Sequence, residues 1–483
     1  MRLYALLLIA ASALCGGVAT ARTIEIDVTK APYNAVGDGI ADCTDAINHA
    51  LADAAKASPK ATVRVPAGAF AHSGQLYVDG VTLSGVGTAS VIRSTNPNSS
   101  AINLRGDGAS IENLEIDCPS AATRLSCGWQ TGIFVQATNF RVRDIGIGNK
   151  TTMGSPSAGI LCLGASHGII SSNTIWRSLA DGIHMTGGSN NIVVEKNTIL
   201  GAGDDMIAVV SYLGNATKCH DITIRNNRCL GQTGGRGITV IGGDKVLIQN
   251  NQVENTVAAG IHAASESSYM TYGPTNVTIE GNSLKNCDTR QFDSHGSIFI
   301  YGNILTYKGQ TTDQTAQNIV IRGNKIIDSH CAAIRIDSYV HGAIVENNTI
   351  QGAEYDGIGV NLWPDPQRGS GSKDIVVRGN SISRTGRTGI VACSGTQGAL
   401  TIEKNTISDI GRSKGSFAAI LIDSGASAIN PLKIVDNIFK GPAGPSAGYF
   451  VDCRISAAAS GASAVEIQTT NVNKTDKPNV ITP

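Results

Sequence analysis

IISSNTI (169–175), IVVEKNTI (192–199), ITIRNNRC (222–229) and VLIQNNQV (246–253) are one phrase written four times. It returns as VTIEGNSL (277–284), IVIRGNKI (319–326), AIVENNTI (343–350), IVVRGNSI (375–382), LTIEKNTI (400–407) and LKIVDNIF (432–439). Each copy is an apolar run, a polar pair, an asparagine and another apolar residue. The asparagines are Asn173, Asn197, Asn227, Asn251, Asn282, Asn324, Asn348, Asn380, Asn405 and Asn437, and successive differences are 24, 30, 24, 31, 42, 24, 32, 25 and 32. A floor near 24 with occasional insertions means one structural unit per step.

Each unit holds two or three short runs rich in Ile and Val, with turns of Gly, Asn, Ser and Asp, and helical periodicity is absent from this region. Units of this size that stack parallel strands on their own copies describe an all-β fold, a single-stranded right-handed parallel β-helix. An asparagine in the turn tolerates left-handed backbone and can hydrogen-bond to its copies above and below, so the Asn column is structural.

Outside the repeats, residues 1–21 have Arg2, an apolar run from Leu3 to Leu14 and Ala19-Thr20-Ala21, the pattern of a secretory signal peptide. The run is too short to span a bilayer. We expect export to the periplasm or medium, with residues 22–100 forming an N-terminal cap and first coils and 101–483 the parallel β-helix with its C-terminal coils. Within the cap, Asp42–Ala55 has helical periodicity through Ala46, Ile47, Ala50 and Leu51. An amphipathic helix there would cover the open end of the stack, where strand edges invite aggregation.

Charged residues are 16% of the chain and the formal net charge is zero, which points away from nucleic acid and anionic membranes. No Cys/His spacing resembles a zinc site. In an oxidising compartment Cys118/Cys127 and Cys219/Cys229 are close enough in sequence to pair, and buried free thiols are the other reading.

The insertions fall between the x-G-I-x run and the Asn-bearing strand: SYLGNATKCH (211–220), SESSYMTYGPT (265–275), YGNILTYKGQTTDQTAQ (301–317) and NLWPDPQRGSGS (361–372). All should leave the stack on one side and wall a groove. They carry Tyr212, Tyr269, Tyr272, Tyr301, Tyr307 and Trp363 in a chain that is 5% aromatic. Exposed rings along a groove suit the C–H faces of a sugar polymer; the other reading of any one ring is that it pins its own loop.

Aligning the x-G-I-x runs puts Ala158, Asp181, Asp205, Arg236 and Ala259 in one column, with Asp356 and Thr388 further along and Asp204 beside Asp205. Neighbouring strands of a stack are about 4.8 Å apart. Carboxylates that close raise at least one pKa, which keeps a general acid protonated near neutrality. A glycosidic bond is hydrolysed by one such acid and a carboxylate base or nucleophile. Asp-Gly is also a common turn pair, as Asp356-Gly357 shows. His184 and His262 share a second, outward-facing column with Thr239 between them, and both are candidates for sugar hydroxyls.

These residues resemble a known group. AVGDGIADCTDAINHAL (35–51) looks like the N-terminal cap of the pectate-lyase-like β-helix superfamily, and the repeats extend that resemblance over nearly the whole mature chain. DGIH (181–184) followed by GDDMIAV (203–209) is similar to the polygalacturonase-like glycoside hydrolases and their dextranase and α-1,3-glucanase relatives. The resemblance implies catalysis with inversion, with Asp204 as general acid, Asp181 and Asp205 activating water, and no cofactor. The family's Gly-His-Gly is replaced here by Gly235-Arg236-Gly237, and its carboxylate-binding Arg-Ile-Lys has no match. The sugar therefore stays open.

The expectation is an exported enzyme acting on a poly- or oligosaccharide, with Asp181, Asp204 and Asp205 catalytic and Arg236, His184, His262, Tyr212, Tyr301 and Trp363 binding substrate. Two alternatives remain. One is a polysaccharide lyase in which the Asp cluster binds Ca²⁺ and Arg236 abstracts a proton from a uronate. The other is a non-catalytic glycan-binding β-helix.

Overall fold

The computed structural model describes residues 24–440 except 119–122, 150–153, 232–233, 291–294, 363–370, 394, 414, 416 and 424–427. It also describes the strands 447–454, 465–467, 472–473 and 480–482. The expected signal peptide and Trp363 lie outside the described residues.

The chain coils into three faces of parallel strands. One face is built from the x-G-I-x runs, among them Ile160–Leu163, Ile183–Thr186, Ile207–Val210, Ile238–Ile241, Ile261–Ala264, Ile298–Tyr301, Ile334–Ile336, Ile358–Val360 and Ile390–Ala392. Each pairs in parallel with the equivalent strand one coil along, so Ile183, Ile207, Ile238, Ile261, Ile298, Ile334, Ile358 and Ile390 form one row. This row is buried inside the coil. Each fully buried side chain of this kind contributes about 1.5–3 kcal/mol, so the stack is its own core. Period-two alternation turns the residues between them outward: His184, Ala208, Thr239, His262, Phe299 and Arg335 make the second row of that face.

The asparagines form a continuous ladder. Asn173 donates its backbone N–H and its Nδ2 to Oδ1 of Asn197, at 3.0 and 2.9 Å, and the same double bond recurs down to Asn437. Each Nδ2 also donates to a strand carbonyl, as Asn197 does to Ile170 at 2.9 Å. The left-handed residue is not the asparagine, contrary to expectation, but the one before it: Ser172, Lys196, Asn226, Asn250, Asn347, Lys404 and Asp436 have φ between 55° and 57°. The turn residue bends the chain, and the asparagine fills the space inside it.

The expected cap helix is Thr44–Lys56, burying Ile47, Ala50, Leu51 and Ala54 against the first coils. The Asp42 carboxylate accepts the Thr44 N–H at 2.9 Å and so satisfies one of the helix's open donors. Cys118, Cys127, Cys219 and Cys229 are all free thiols, so neither candidate disulfide forms. Cys118, Cys219 and Cys229 are buried and fill space as small apolar groups. No helix among the described residues is long and apolar enough to cross a membrane.

Candidate active site

Asp181, Asp205 and Arg236 each stand two residues before an Ile of the inward row, which places them in one column as the alignment requires. They lie in the turn before the strand, where alternation has not begun. Gly182 and Gly237, which follow Asp181 and Arg236, are forced by the stack, whereas Met206 follows Asp205. A Cβ on Gly182 would lie 2.5 Å from the Met206 carbonyl oxygen, and one on Gly237 2.3 Å from that of Gly260.

The column has a structural task as well as a chemical one. Oδ1 of Asp181 accepts the Asp205 N–H at 2.9 Å, and Oδ1 of Asp205 accepts the Arg236 N–H at 2.8 Å. Oδ1 of Asp356 accepts the Thr388 N–H at 3.0 Å in the same way. An Asp at this position therefore ties its turn to the turn of the next coil, which accounts for Asp356-Gly357. At Asp181 and Asp205 the second oxygen goes further.

Asp181 Oδ2 accepts from His184 Nδ1 at 2.6 Å. Asp205 Oδ1 accepts from Arg236 Nε at 2.8 Å, and its Oδ2 accepts from Arg236 Nη2 and Thr239 Oγ1, both at 2.9 Å. Arg236 Nη1 donates to Glu266 Oε1 at 2.7 Å. Asp204 is half-buried and receives Arg124 Nη1 on its Oδ2. The three aspartates each bring one carboxylate oxygen within 4.8 Å of the others.

Charge follows from this wiring. Burial, then Asp205 and Asp181, push the Asp204 carboxyl above the ordinary carboxylate range, with Arg124 opposing. Burial works against a charged His184, but Asp181 outweighs it and holds the imidazolium above its usual pKa. Burial likewise works against charge on Arg236, and Asp205 and Glu266 overcome it, so the guanidinium is held well above its usual value.

Asp181, Asp204, Asp205, His184, Tyr212 and Arg236 line one pocket of about 160 Å³, joined by Arg124, Glu266 and Tyr269. Tyr212 packs on Ala208, Val210, Ile241 and Ala264. Burial and then Asp181 raise its phenol, so it stays a hydrogen-bond donor. The first three insertions stand side by side as one wall. Tyr212 bridges Thr271 in antiparallel fashion, and Leu213 N–H donates to the Met270 carbonyl at 2.8 Å. Gly273 N–H donates to Gln314 at the end of the hairpin Asn303–Tyr307/Gln310–Gln314, at 2.9 Å.

His262 and Tyr301 fall outside this pocket. His262 points out of the coil as expected but is 1% exposed, covered by Tyr301, Phe299 and His295 with ring centroids 5.1–5.5 Å away. Burial, then Arg236, hold it neutral, so it packs as an aromatic ring rather than meeting solvent. The insertion around residues 301–317 covers this stretch of the outward row. Arg236, expected to meet substrate, turns its guanidinium on Asp205 and Glu266. Sequence reasoning missed Arg124 and Glu266. Glu266 is the one acid in SESSYMTYGPT, and Arg124 lies in a segment with no repeat to align it.

Residues 79–284 and 270–439 match the family described as right handed beta helix region, and the chain belongs to that family. Its fold is a right-handed parallel β-helix. No curated protein matches the chain. Among solved structures it is similar to the catalytic unit of a thermostable GH87 α-1,3-glucanase from Streptomyces thermodiastaticus strain HF3-3, at 18% identity and TM-score 0.58, covering 88% of this chain and 70% of that one. It is also similar to the A-module of mannuronan C-5 epimerase AlgE6 from Azotobacter vinelandii, at 17% identity and TM-score 0.53, covering 74% and 98%. A GH87 α-1,3-glucanase catalytic domain in complex with nigerose aligns at 19% identity and TM-score 0.52, covering 80% and 66%.

Proposed function

We propose that this chain is an exported glycoside hydrolase that cleaves a polysaccharide with inversion, Asp204 acting as general acid. The observation that carries the reading is the contrast within the aspartate group. Asp204 is held toward its protonated form by burial and then by Asp205 and Asp181, and both of these accept hydrogen bonds that hold them in place. A proton donor beside two positioned carboxyl groups is what glycosidic cleavage needs, since positive charge develops on the sugar ring as the bond breaks.

Asp204 delivers its proton to the glycosidic oxygen. Asp181 accepts a proton from the attacking water, with Asp205 fixed beside it. Arg236 and Thr239 hold Asp205 in place, and His184 does the same for Asp181. The carboxylate oxygens lie within 4.8 Å of one another, whereas most inverting enzymes separate their two groups by about 6.5–9.5 Å. A nucleophilic carboxylate, however, must offer an uncommitted oxygen. Asp205 receives the Arg236 backbone N–H, two guanidinium donors and the Thr239 hydroxyl, which makes it a poor nucleophile. Water then attacks, and the configuration inverts.

No metal enters this reading. Ca²⁺ takes about 6–8 oxygens, and the aspartates are already engaged by Arg236, Arg124, His184 and Thr239. A lyase step through Arg236 would need a neutral guanidine, which its two acidic partners oppose. The similarity to proteins whose descriptions name a glucanase and an epimerase supports a polysaccharide as substrate.

The test is a panel of α-1,3-glucan, polygalacturonate and polymannuronate, read for reducing ends, for absorbance of an unsaturated product and for the anomer first released. Hydrolysis of one of these that resists EDTA, yields the inverted anomer and falls at least about 10²-fold in Asp204→Asn supports the reading. Activity that survives Asp204→Asn, or absorbance that depends on Ca²⁺, overturns it.

A further inference from the structure

We propose that the cleft formed around Tyr355, five coils beyond the aspartates, is a second binding site for the same polysaccharide. The proposal rests on the reading of this chain as a polysaccharide-acting enzyme and adds to it a site that does no chemistry. From Asp205 the row runs through Arg236, Ala259, Gly296 and Ala332 to Asp356, five strand steps. At about 4.8 Å each these place the cleft some 24 Å along the same edge of the coil. Tyr355 and Arg387 occupy the position that Asp204 holds in its own coil, three residues before the inward Ile.

The cleft has a volume of about 490 Å³, inside the range of about 300–1,000 Å³ usual for ligand sites. Its wall combines a flat surface with fixed polar groups, the two things a sugar ring presents partners for. Tyr355 lines the cleft, and the Arg387 guanidinium, outside the lining, lies 3.9 Å from the centroid of its ring and steadies that ring as a flat surface for C–H faces. His330 Nδ1 donates to Glu354 at 2.9 Å and Arg412 Nη1 to Asp409 at 2.7 Å, so these groups are held in position for hydroxyls.

Arg384 adds a separate observation. It lines the cleft, is exposed, and sits in left-handed backbone at φ 59°. Equivalent turns nearby use residues that tolerate this conformation: Asn286, Asp328, Gly352 and Asp409. A long side chain at such a φ costs of order 1 kcal/mol. Lys196 and Lys404 also carry long side chains at φ 56° and 57°, so the backbone alone does not call for a ligand. What Arg384 adds is a guanidinium that lines the cleft with no ion-pair partner among the described residues, able to donate to sugar oxygens.

The experiment is affinity electrophoresis of Asp204→Asn in gels holding α-1,3-glucan, polygalacturonate or polymannuronate, against the same protein carrying Arg384→Asn or Tyr355→Ala. Arg384→Asn keeps the left-handed turn without strain, so its thermal midpoint should hold or rise while retention on the polymer weakens about five-fold. Tyr355→Ala should weaken retention by a similar factor. In otherwise unaltered protein, the same changes should raise KM on the polymer and leave kcat/KM on the shortest cleaved oligosaccharide within about two-fold. Unchanged retention in both variants, or equal losses on long and short substrates, overturns the second site while leaving the aspartate chemistry untouched. Loss of the aspartate reading shows instead as hydrolysis that survives Asp204→Asn.

Discussion

Arg236 grips both oxygens of Asp205, Nε on Oδ1 at 2.8 Å and Nη2 on Oδ2 at 2.9 Å, and with its third nitrogen it ties the pair to Glu266. The fork fixes the plane of a carboxylate that would otherwise rotate. Arg236→Lys keeps one charge and loses the bidentate geometry. Hydrogen bonds to charged groups are worth about 1.5–3 kcal/mol, so kcat should fall roughly 10–100-fold with KM nearly unchanged. Steady-state kinetics decide it: a rise in KM at constant kcat would move Arg236 from positioning Asp205 to holding substrate.

The Arg124–Asp204 pair sets the pH range. Asp204 must be protonated to act, so the alkaline limb of the rate profile reports its pKa. Burial, Asp205 and Asp181 raise that pKa, and Arg124 lowers it. Arg124→Ala removes the opposing charge that bonds Asp204 directly. The alkaline limb of kcat/KM should move to higher pH, and a limb that stays or moves down would show that another group carries the proton.

The fold was legible because it repeats. Ten copies of one phrase fixed the unit, and the Ile row and the Asn ladder followed from it. The aspartate column was legible for the same reason, since register in a parallel stack carries sequence alignment directly into space. What the alignment could not carry came from segments with no copy. Arg124 enters from the irregular stretch before Ile133, and Glu266 from inside an insertion. His262 shows the converse failure. Its outward parity was right, but parity says nothing about whether a neighbouring insertion covers the face.

Gly235 is a site residue that carries no chemistry. A Cβ there would lie 2.5 Å from Asp204 Oδ1 and 2.7 Å from Asp205 Oδ1. Asp205 cannot yield because Arg236 and Thr239 hold it. Gly235→Ala should therefore displace Asp204 and lower kcat at least about ten-fold, since a shift of this kind is felt in the barrier, while the far-UV circular dichroism stays that of wild type. Full activity in Gly235→Ala would mean that the aspartate geometry tolerates what the pocket suggests it cannot.

The Asn ladder should be cooperative. Asn251→Ala leaves the Asn227 backbone N–H and Nδ2 without their acceptor and strips the Ile224 and Asn282 groups of a partner. Each buried polar group left open costs about 1–3 kcal/mol. Chemical denaturation should show a loss of several kcal/mol, and hydrogen exchange should quicken first in the coils around residues 224–227 and 279–282. A loss confined to one coil, or none, would make the ladder a row of independent turns.

Asp356 offers a stability test away from the aspartate pocket. Burial pushes its carboxyl up to about 6, with the Thr388 N–H and Arg387 pulling the other way. In the unfolded chain an Asp titrates near 3.9. Below that pH both states are protonated and the residue has no effect on folding. Between the two values the folded state holds a proton that the unfolded state has released, so stability falls as pH rises. Above 6 the full penalty of a buried carboxylate is present, about two pKa units or roughly 3 kcal/mol. Asp356→Asn removes the titration and keeps an oxygen to accept the Thr388 N–H. The difference in unfolding free energy between variant and wild type should therefore grow in the variant's favour from pH 4 to pH 7. A difference that stays flat across that window would mean that Asp356 is paired well enough to ionise at its ordinary pKa.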